Sequence, residues 1–265
     1  MEHRVNILVF GLTRSLIHTM KSIEINIIEP LNDARMTWHI YLHTYNLAKI
    51  TNSRSQEQEV PLLWERDIDR IKYPNKTVKI DSQEEFLQTI NITDYTTHGD
   101  PWPDQDEIPY QSLRNLLCQL NSLRCVTQMA CEDTNAGNVF LFIRPDLMYI
   151  DPIDTTLIEH CEKAHNKKHN MVFTPHWGKW GGLNDRIACA NTEAAKLYGF
   201  RIDEALAFSR RCPLHSEKYL AYILRKCVCR EMKIRACRVR ANGNISGLDC
   251  QTHRITRETI QTFLD

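Results

Sequence analysis

The pattern of apolar and polar positions along the chain predicts alternating strands and helices. Val5–Phe10 is a run of mostly apolar residues ended by the turn Gly11-Leu12-Thr13-Arg14, and reads as the first strand. Leu16, Met20, Ile23 and Ile27 then recur at helical spacing, and Trp38–Tyr45 reads as a second strand, polar at its end. The region 46–111 is polar and broken by Pro61, Pro74, Pro101, Pro103 and Pro109. A short strand near Val78–Ile80, a helix near Gln83–Ile90 and a loop at 99–104 are its expected features. A helix from about Gln111 to Met129 follows, with Leu113, Leu116, Leu117, Leu120 and Leu123 on one face.

The most informative segment is Val139–Ile143, five apolar residues stopped by Arg144-Pro145-Asp146. A continuous apolar run of this length predicts a strand buried on both faces, as in a parallel α/β sheet. Ligands in such sheets sit beyond the carboxyl ends of the strands, which places Arg144, Asp146, Asp151 and Asp154 as candidates to hold a polar substrate or a metal. Beyond them the pattern predicts a polar helix (about Leu157–Lys168), short strands at Met171–Thr174 and Ile187–Ala190, and a helix at Thr192–Tyr198. A further helix capped by Ser216 and a last strand near Ile234–Val239 complete the reading. With no repeat and no clear boundary, the expectation is a single α/β domain over residues 1–265, with a mostly parallel, Rossmann-like central sheet.

Composition changes this picture little. The 265 residues carry no formal net charge, which argues against a nucleic-acid binder despite a local basic cluster at Arg235, Arg238 and Arg240. The apolar run at the N-terminus is too short for a signal-peptide core or a membrane span, so a cytoplasmic protein with no transmembrane segment is expected. Ten scattered cysteines then read as reduced, buried small hydrophobes.

Four constellations could carry chemistry. The aspartate of Arg144-Pro145-Asp146 could coordinate a hard divalent ion, or merely form a salt bridge in a turn. In Trp180-Gly181-Gly182-Leu183-Asn184-Asp185-Arg186 the glycines allow close backbone approach, and Trp177 and Trp180 offer flat faces suited to a sugar ring. Glu217, in His215-Ser216-Glu217, could be a general base or simply serve a helix dipole. The first strand-to-helix turn, with Arg14, suits a phosphate but lacks dinucleotide and Walker patterns. Separately, Cys161, His165 and His169 on one helix face could hold zinc, as in a hydrolase, or form a solvated face.

Taken in order, the segments Gly11–Arg14, His43-Thr44-Tyr45, Gln119–Arg124, Arg144–Leu147, Gly181–Arg186 and His215–Glu217 resemble a family of glycosyltransferases of large algal viruses and related plant and algal proteins. The resemblance runs over most of the chain, with 46–111 poorly marked. It implies a GT-A-like domain with a nucleotide-sugar half (about 1–155) and an acceptor half (about 156–265), in the host cytoplasm for a viral member. The activity implied is transfer of a sugar, xylose among the candidates, from a UDP-sugar to an oligosaccharide acceptor hydroxyl with inversion. Donor contacts fall on Gly11, Leu12, Thr13, Arg14, Arg54, Asn121, Arg124, Arg144 and Asp146. Acceptor or sugar contacts fall on Trp177, Trp180, Gly181, Gly182, Asn184 and His215, and the base on Glu217 or Asp185. Mn2+ or Mg2+ is implied at Asp146, with His253 as a late ligand. The family's paired acids are single here, which also suits a non-catalytic carbohydrate-binding scaffold on the same fold.

Overall fold

The computed structural model describes residues 4–52, 56–102 and 109–264. Eleven strands are described: β1 (Arg4–Phe10), β2 (Thr37–Tyr45), β3 (Lys49–Asn52), β4 (Glu57–Pro61), β5 (Lys76–Asp81), β6 (Val139–Ile143), β7 (Leu147–Tyr149), β8 (Met171–Pro175), β9 (Ala188–Asn191), β10 (Val228–Met232) and β11 (Ala236–Arg238). Seven of them form one sheet in the order β10-β8-β9-β6-β1-β2-β5. All neighbours are parallel except β9, which runs antiparallel between β6 and β8. The expected mostly parallel α/β architecture is therefore present, with one reversed strand that the sequence pattern did not indicate.

Alternation along β1 explains the layering. Val5, Ile7 and Val9 face one apolar cluster, and Leu8 and Phe10 face the other. On the first face lie α1 (Leu16–Ile23), its continuation as a π turn (Glu24–Ile28) and α2 (Glu29–Asp33), and α6 (Thr156–Asn166). The π turn comes just ahead of Pro30, which has no N–H to give the helix. On the second face lies the 22-residue α5 (Gln111–Glu132), with α7 (Thr192–Gly199), α8 (Ile202–Ser209) and α9 (Ser216–Ile223). Smaller helices α3 (Trp64–Asp69) and α4 (Gln83–Gln88) lie in the polar region, and α10 (Gly247–His253) and α11 (Arg257–Leu264) close the chain.

β1 leads outward to β2 and β5 on one side, while β6 lies on its other side, so the strand order reverses between β1 and β6. In open α/β sheets such a reversal opens a crevice at the carboxyl ends of the two strands. Here those ends carry Gly11–Arg14 and Arg144–Asp146.

Asp151 and Asp154 leave this edge. After Asp146 the chain turns into β7, which pairs antiparallel with β11 outside the main sheet. Asp151 accepts from both the backbone and the guanidinium of Arg235, at 2.6–3.1 Å, and Asp154 accepts from the N–H and hydroxyl of Thr156 at the start of α6. Both aspartates therefore hold structure rather than the cleft. The zinc expectation also fails to assemble, since Cys161 is buried against Cys189 while His169 is exposed. All ten cysteines are free thiols, and among the described residues no helix is long and apolar enough to cross a membrane.

Candidate functional site

A cleft of about 560 Å³ opens at the β1/β6 crevice. Gly11, Leu12 and Arg14 enter it from the β1–α1 turn, Arg144 and Asp146 from the end of β6, and Arg238 and Arg240 from β11 and the turn after it. Gln119 of α5 lies on its floor, and Asp185, Arg186, His215, Ser216 and Glu217 form the opposite end. Volume and mixed lining are those of a small-ligand site.

At the first end Asp146 is the centre of an arginine cluster. Its side chain is 4% exposed, and Arg144 binds it bidentately, Nε to Oδ1 at 2.7 Å and Nη2 to Oδ2 at 2.7 Å. Arg14 adds a contact to Oδ2 at 3.4 Å. Burial alone would raise the pKa of this carboxyl, but Arg144, Arg14 and Arg240 together hold it far below the usual carboxylate range. Arg14 also donates to Glu57 at 3.0 Å, and Arg238 forks onto Asp249 at 2.8 and 2.9 Å. The Pro145 carbonyl accepts from the buried hydroxyl of Thr19 at 2.6 Å, which fixes the turn behind Asp146.

A divalent cation does not fit this donor set. Mg2+ and Mn2+ take oxygen ligands with free lone pairs, preferably several. Both Asp146 oxygens are engaged by guanidinium groups, and Glu57, the next acid, is held by Arg14 and by the Ala241 N–H at 2.8 Å. His253 does not line the cleft; its ring meets the buried Trp177 edge-on at 4.5 Å. Among the described residues one group has metal-ligand spacing, His43, Asp81 and Cys125, and it lies outside the cleft lining. Its mixed donors are unlike an oxygen set, and the Lys79 ammonium sits 3.0 Å from Asp81 and 3.6 Å from Cys125. His43 instead braces the β1–α1 turn: its Nδ1 meets Ser122 Oγ at 2.8 Å, and the same Oγ accepts from the Gly11 N–H at 2.8 Å.

At the other end two carboxyl groups have opposite tendencies. Burial disfavours the charged form of Asp185, but Arg186 and the Ser216 hydroxyl outweigh it, and its pKa is lowered. Ser216 Oγ donates to Asp185 Oδ2, as does Gln119 Nε2 at 2.9 Å. Gln119 Oε1 in turn accepts from Arg144 Nη1 at 2.7 Å, so the two ends share one hydrogen-bonded floor. Ser216 thus serves Asp185 and not the helix start that the sequence pattern assigned to it. Glu217, 6% exposed, is pushed up to about 7, first by burial and then by the negative charge of Asp185. Arg186 lies 3.8 Å from it and His215 Nδ1 3.3 Å.

The glycine loop works differently from its sequence reading. A Cβ at Gly182 would stand 1.9 Å from the Glu217 carbonyl oxygen, and the Leu183 N–H donates to that oxygen at 3.0 Å. Gly182 therefore seats the loop on the start of α9 and sets the height of Glu217; neither it nor Gly181 lines the cleft. Gly182→Ala is expected to displace α9 and cost about 1–3 kcal/mol of stability. Urea unfolding checks this; an unchanged unfolding midpoint overturns it.

The other sequence candidates divide. Trp180 is 59% exposed at the mouth with a left-handed φ of 42°, and Trp102, which the sequence pattern assigned only to a loop, lines the same mouth with its ring 5.7 Å from that of His215. Trp177 is instead core: it is buried, and its Nε1 donates to the Ile234 carbonyl at 2.6 Å. Asn184 is fully buried and ties the loop together, donating to the Trp177 carbonyl at 2.7 Å and accepting from the Arg186 N–H at 2.9 Å. Thr13 is buried behind the turn, its N–H donating to Thr44 at 3.3 Å. Asn121 donates at 3.0 Å to the hydroxyl of Tyr45, which itself lines the cleft. Arg124 pairs with Asp203 at 3.6 Å on the outer surface, and Arg54 lies outside the described residues. Gln119, Arg238 and Arg240 are cleft residues to which the sequence reading gave no role in the site.

No family model and no curated protein matches the sequence. Among solved structures the chain is similar to an active-site mutant of LgtC (10% identity, 86% of this chain and 72% of that one, TM-score 0.45). LgtC is described as a galactosyltransferase in a second structure, with donor and acceptor sugar analogues. It is also similar to mouse xyloside xylosyltransferase 1 (8% identity, 88% and 85% covered, TM-score 0.43). A third likeness is to a glucose-1-phosphate thymidylyltransferase from Bacillus anthracis in complex with sucrose (9% identity, 99% and 96% covered, TM-score 0.42), whose assignment is provisional.

Proposed function

We propose that the protein is a GT-A-like glycosyltransferase that moves a sugar from a nucleoside-diphosphate sugar to an acceptor hydroxyl. The observation that carries this reading is one cleft with an arginine-rich end at the strand-order reversal and a carboxyl poised near neutrality at the other. The first suits a diphosphate, and the second suits an acceptor whose proton must be removed. The exposed Trp180 and half-buried Trp102 at the mouth supply faces on which an oligosaccharide can rest.

In this reading Glu217 is the general base. Its carboxylate takes the acceptor proton as the acceptor oxygen bonds to the anomeric carbon, and the bond from that carbon to the diphosphate oxygen breaks. A single displacement of this kind inverts the anomeric centre. Asp185 stays ionised, raises the proton affinity of Glu217 and, through Ser216 and Gln119, holds the floor in place. Lowering the pKa of Asp185 makes its carboxylate the weaker base of the two, which favours Glu217 for proton transfer. Charge developing on the leaving diphosphate meets preorganised guanidinium groups. UDP is the donor nucleotide within this reading, and xylose the first sugar to test.

Incubation with UDP-xylose, UDP-galactose, UDP-glucose and GDP-mannose is expected to release nucleoside diphosphate from at least one donor. Release is expected to rise with an oligosaccharide acceptor, as read by mass spectrometry of the glycan. Binding of oligosaccharide with no turnover of any donor would instead identify a carbohydrate-binding scaffold.

A further inference from the structure

Four guanidinium groups converge on the β1/β6 edge from separate parts of the chain: Arg14, Arg144, Arg238 and Arg240. They meet three carboxylates. Arg14 pairs with Glu57 and Asp146, Arg144 with Asp146, and Arg238 with Asp249. Among the described residues the Arg240 side chain has no ion pair or hydrogen bond, although it lines the cleft. Burial and the neighbouring charges of Arg14 and Arg238 lower its pKa to about 10, outweighing the pull of Asp146 and Glu57. Burial is the larger cause, and the like charges of Arg14 and Arg238 add to it; the four guanidinium groups outnumber the three carboxylates they meet.

A cation-binding site has the opposite balance, with carboxylates in excess and oxygens free to coordinate. Here the acid at the strand end is saturated by arginine, and the uncompensated charge is positive. Resting on the transferase reading above, we infer that this edge is a metal-independent pyrophosphate cradle in which guanidinium groups do the work of a divalent cation. Arg240 supplies the charge held in reserve for the ligand. Arg144 and Arg238 are each fixed by bidentate pairing to an acid, so their forks are preorganised, whereas Arg240 gains its partner only when the diphosphate arrives. Turn geometry supports this placement. The Ala241 N–H donates to Glu57 at 2.8 Å and the Gly243 N–H to the Arg240 carbonyl at 2.9 Å, which anchors the backbone on both sides of a side chain that itself has no anchor.

Calorimetric titration of the full chain with UDP, GDP and inorganic pyrophosphate, in EDTA and in Mn2+, tests the inference. Pyrophosphate and one nucleotide are expected to bind in EDTA within about threefold of their affinity in Mn2+. Arg240→Ala is expected to weaken both about 10- to 100-fold, the loss of a charged hydrogen bond, while the melting temperature of the free protein stays level or rises. A purely structural role for Arg240 would lower that temperature instead, and overturn the inference. Nucleotide binding seen only with Mn2+ overturns the cradle and leaves the transferase reading standing. Pyrophosphate binding in EDTA without either nucleotide does the reverse, and absence of all binding removes both.

Discussion

Glu217→Gln is expected to lower the turnover of sugar transfer by about 10²–10⁴-fold while UDP binds as before. The substitution keeps the size and most of the polarity of the side chain but removes the group that accepts a proton. A base acts only in the transition state, so the loss belongs in kcat and not in the donor KM. The pH dependence gives a second readout. Wild-type turnover should rise as Glu217 ionises, around its raised pKa of about 7. Asp185→Asn removes the negative charge that helps raise that pKa, and so shifts the rise to lower pH. Turnover of Glu217→Gln within tenfold of wild type across neutral pH would sink the assignment.

Stability carries the same signature with a definite sign. Because the folded pKa of Glu217 lies above its unfolded value, the native state holds an extra proton between about pH 4.5 and 7 and loses stability as pH rises through that window. The glutamine variant has no such proton to lose. Its stability relative to wild type is therefore expected to be higher at about pH 8 than at about pH 5, by roughly 1–3 kcal/mol. A base that destabilises its own fold at working pH is the expected trade between activity and stability.

Legibility in the sequence followed burial. β1, β6 and the second half of β2 are buried on both faces and α5 on one, so their apolar runs and periodicity report the fold, and the polar stop after Ile143 marks the cleft. The β3–β4 hairpin and β10 were not legible because their residues are mostly exposed and polar, with neither the alternation nor the apolar run that marks a strand. The basic cluster was visible but misjudged. Arg238 and Arg240 share strand parity and enter the cleft, whereas Arg235, of opposite parity, turns to Asp151. Treating the three as one patch balanced by distant acids concealed two site residues. The link between Asp185 and Glu217 depends on Gly182 seating the loop on α9, a contact between segments far apart in chain order. Spacing within either motif says nothing about it.

Asp146→Asn is expected to destabilise the metal-free protein by about 3–5 kcal/mol, the cost of stranding buried charge by removing one partner of an ion pair. Arg144 would keep at most one bond of its bidentate pair, Arg14 would lose one of its two acids, and Arg240 the larger of two attractions that offset its own crowding. The sign separates two roles for this aspartate. An acid kept for a metal is a liability without the metal, so neutralising it in chelator should leave stability level or raise it. An acid that holds arginines in register is missed at once. Urea unfolding in EDTA distinguishes them, and a midpoint equal to or above wild type would remove the arginine-clamp role. The pH dependence follows from the depressed pKa: the contribution of Asp146 is present above about pH 4, the unfolded value, and is lost as pH falls towards the folded one. The gap between wild type and Asp146→Asn should therefore narrow in acid. Pairing Asp146→Leu with Arg144→Met removes both charges together and should recover much of the stability, while the proposed nucleotide binding is expected to be lost with the guanidinium of Arg144.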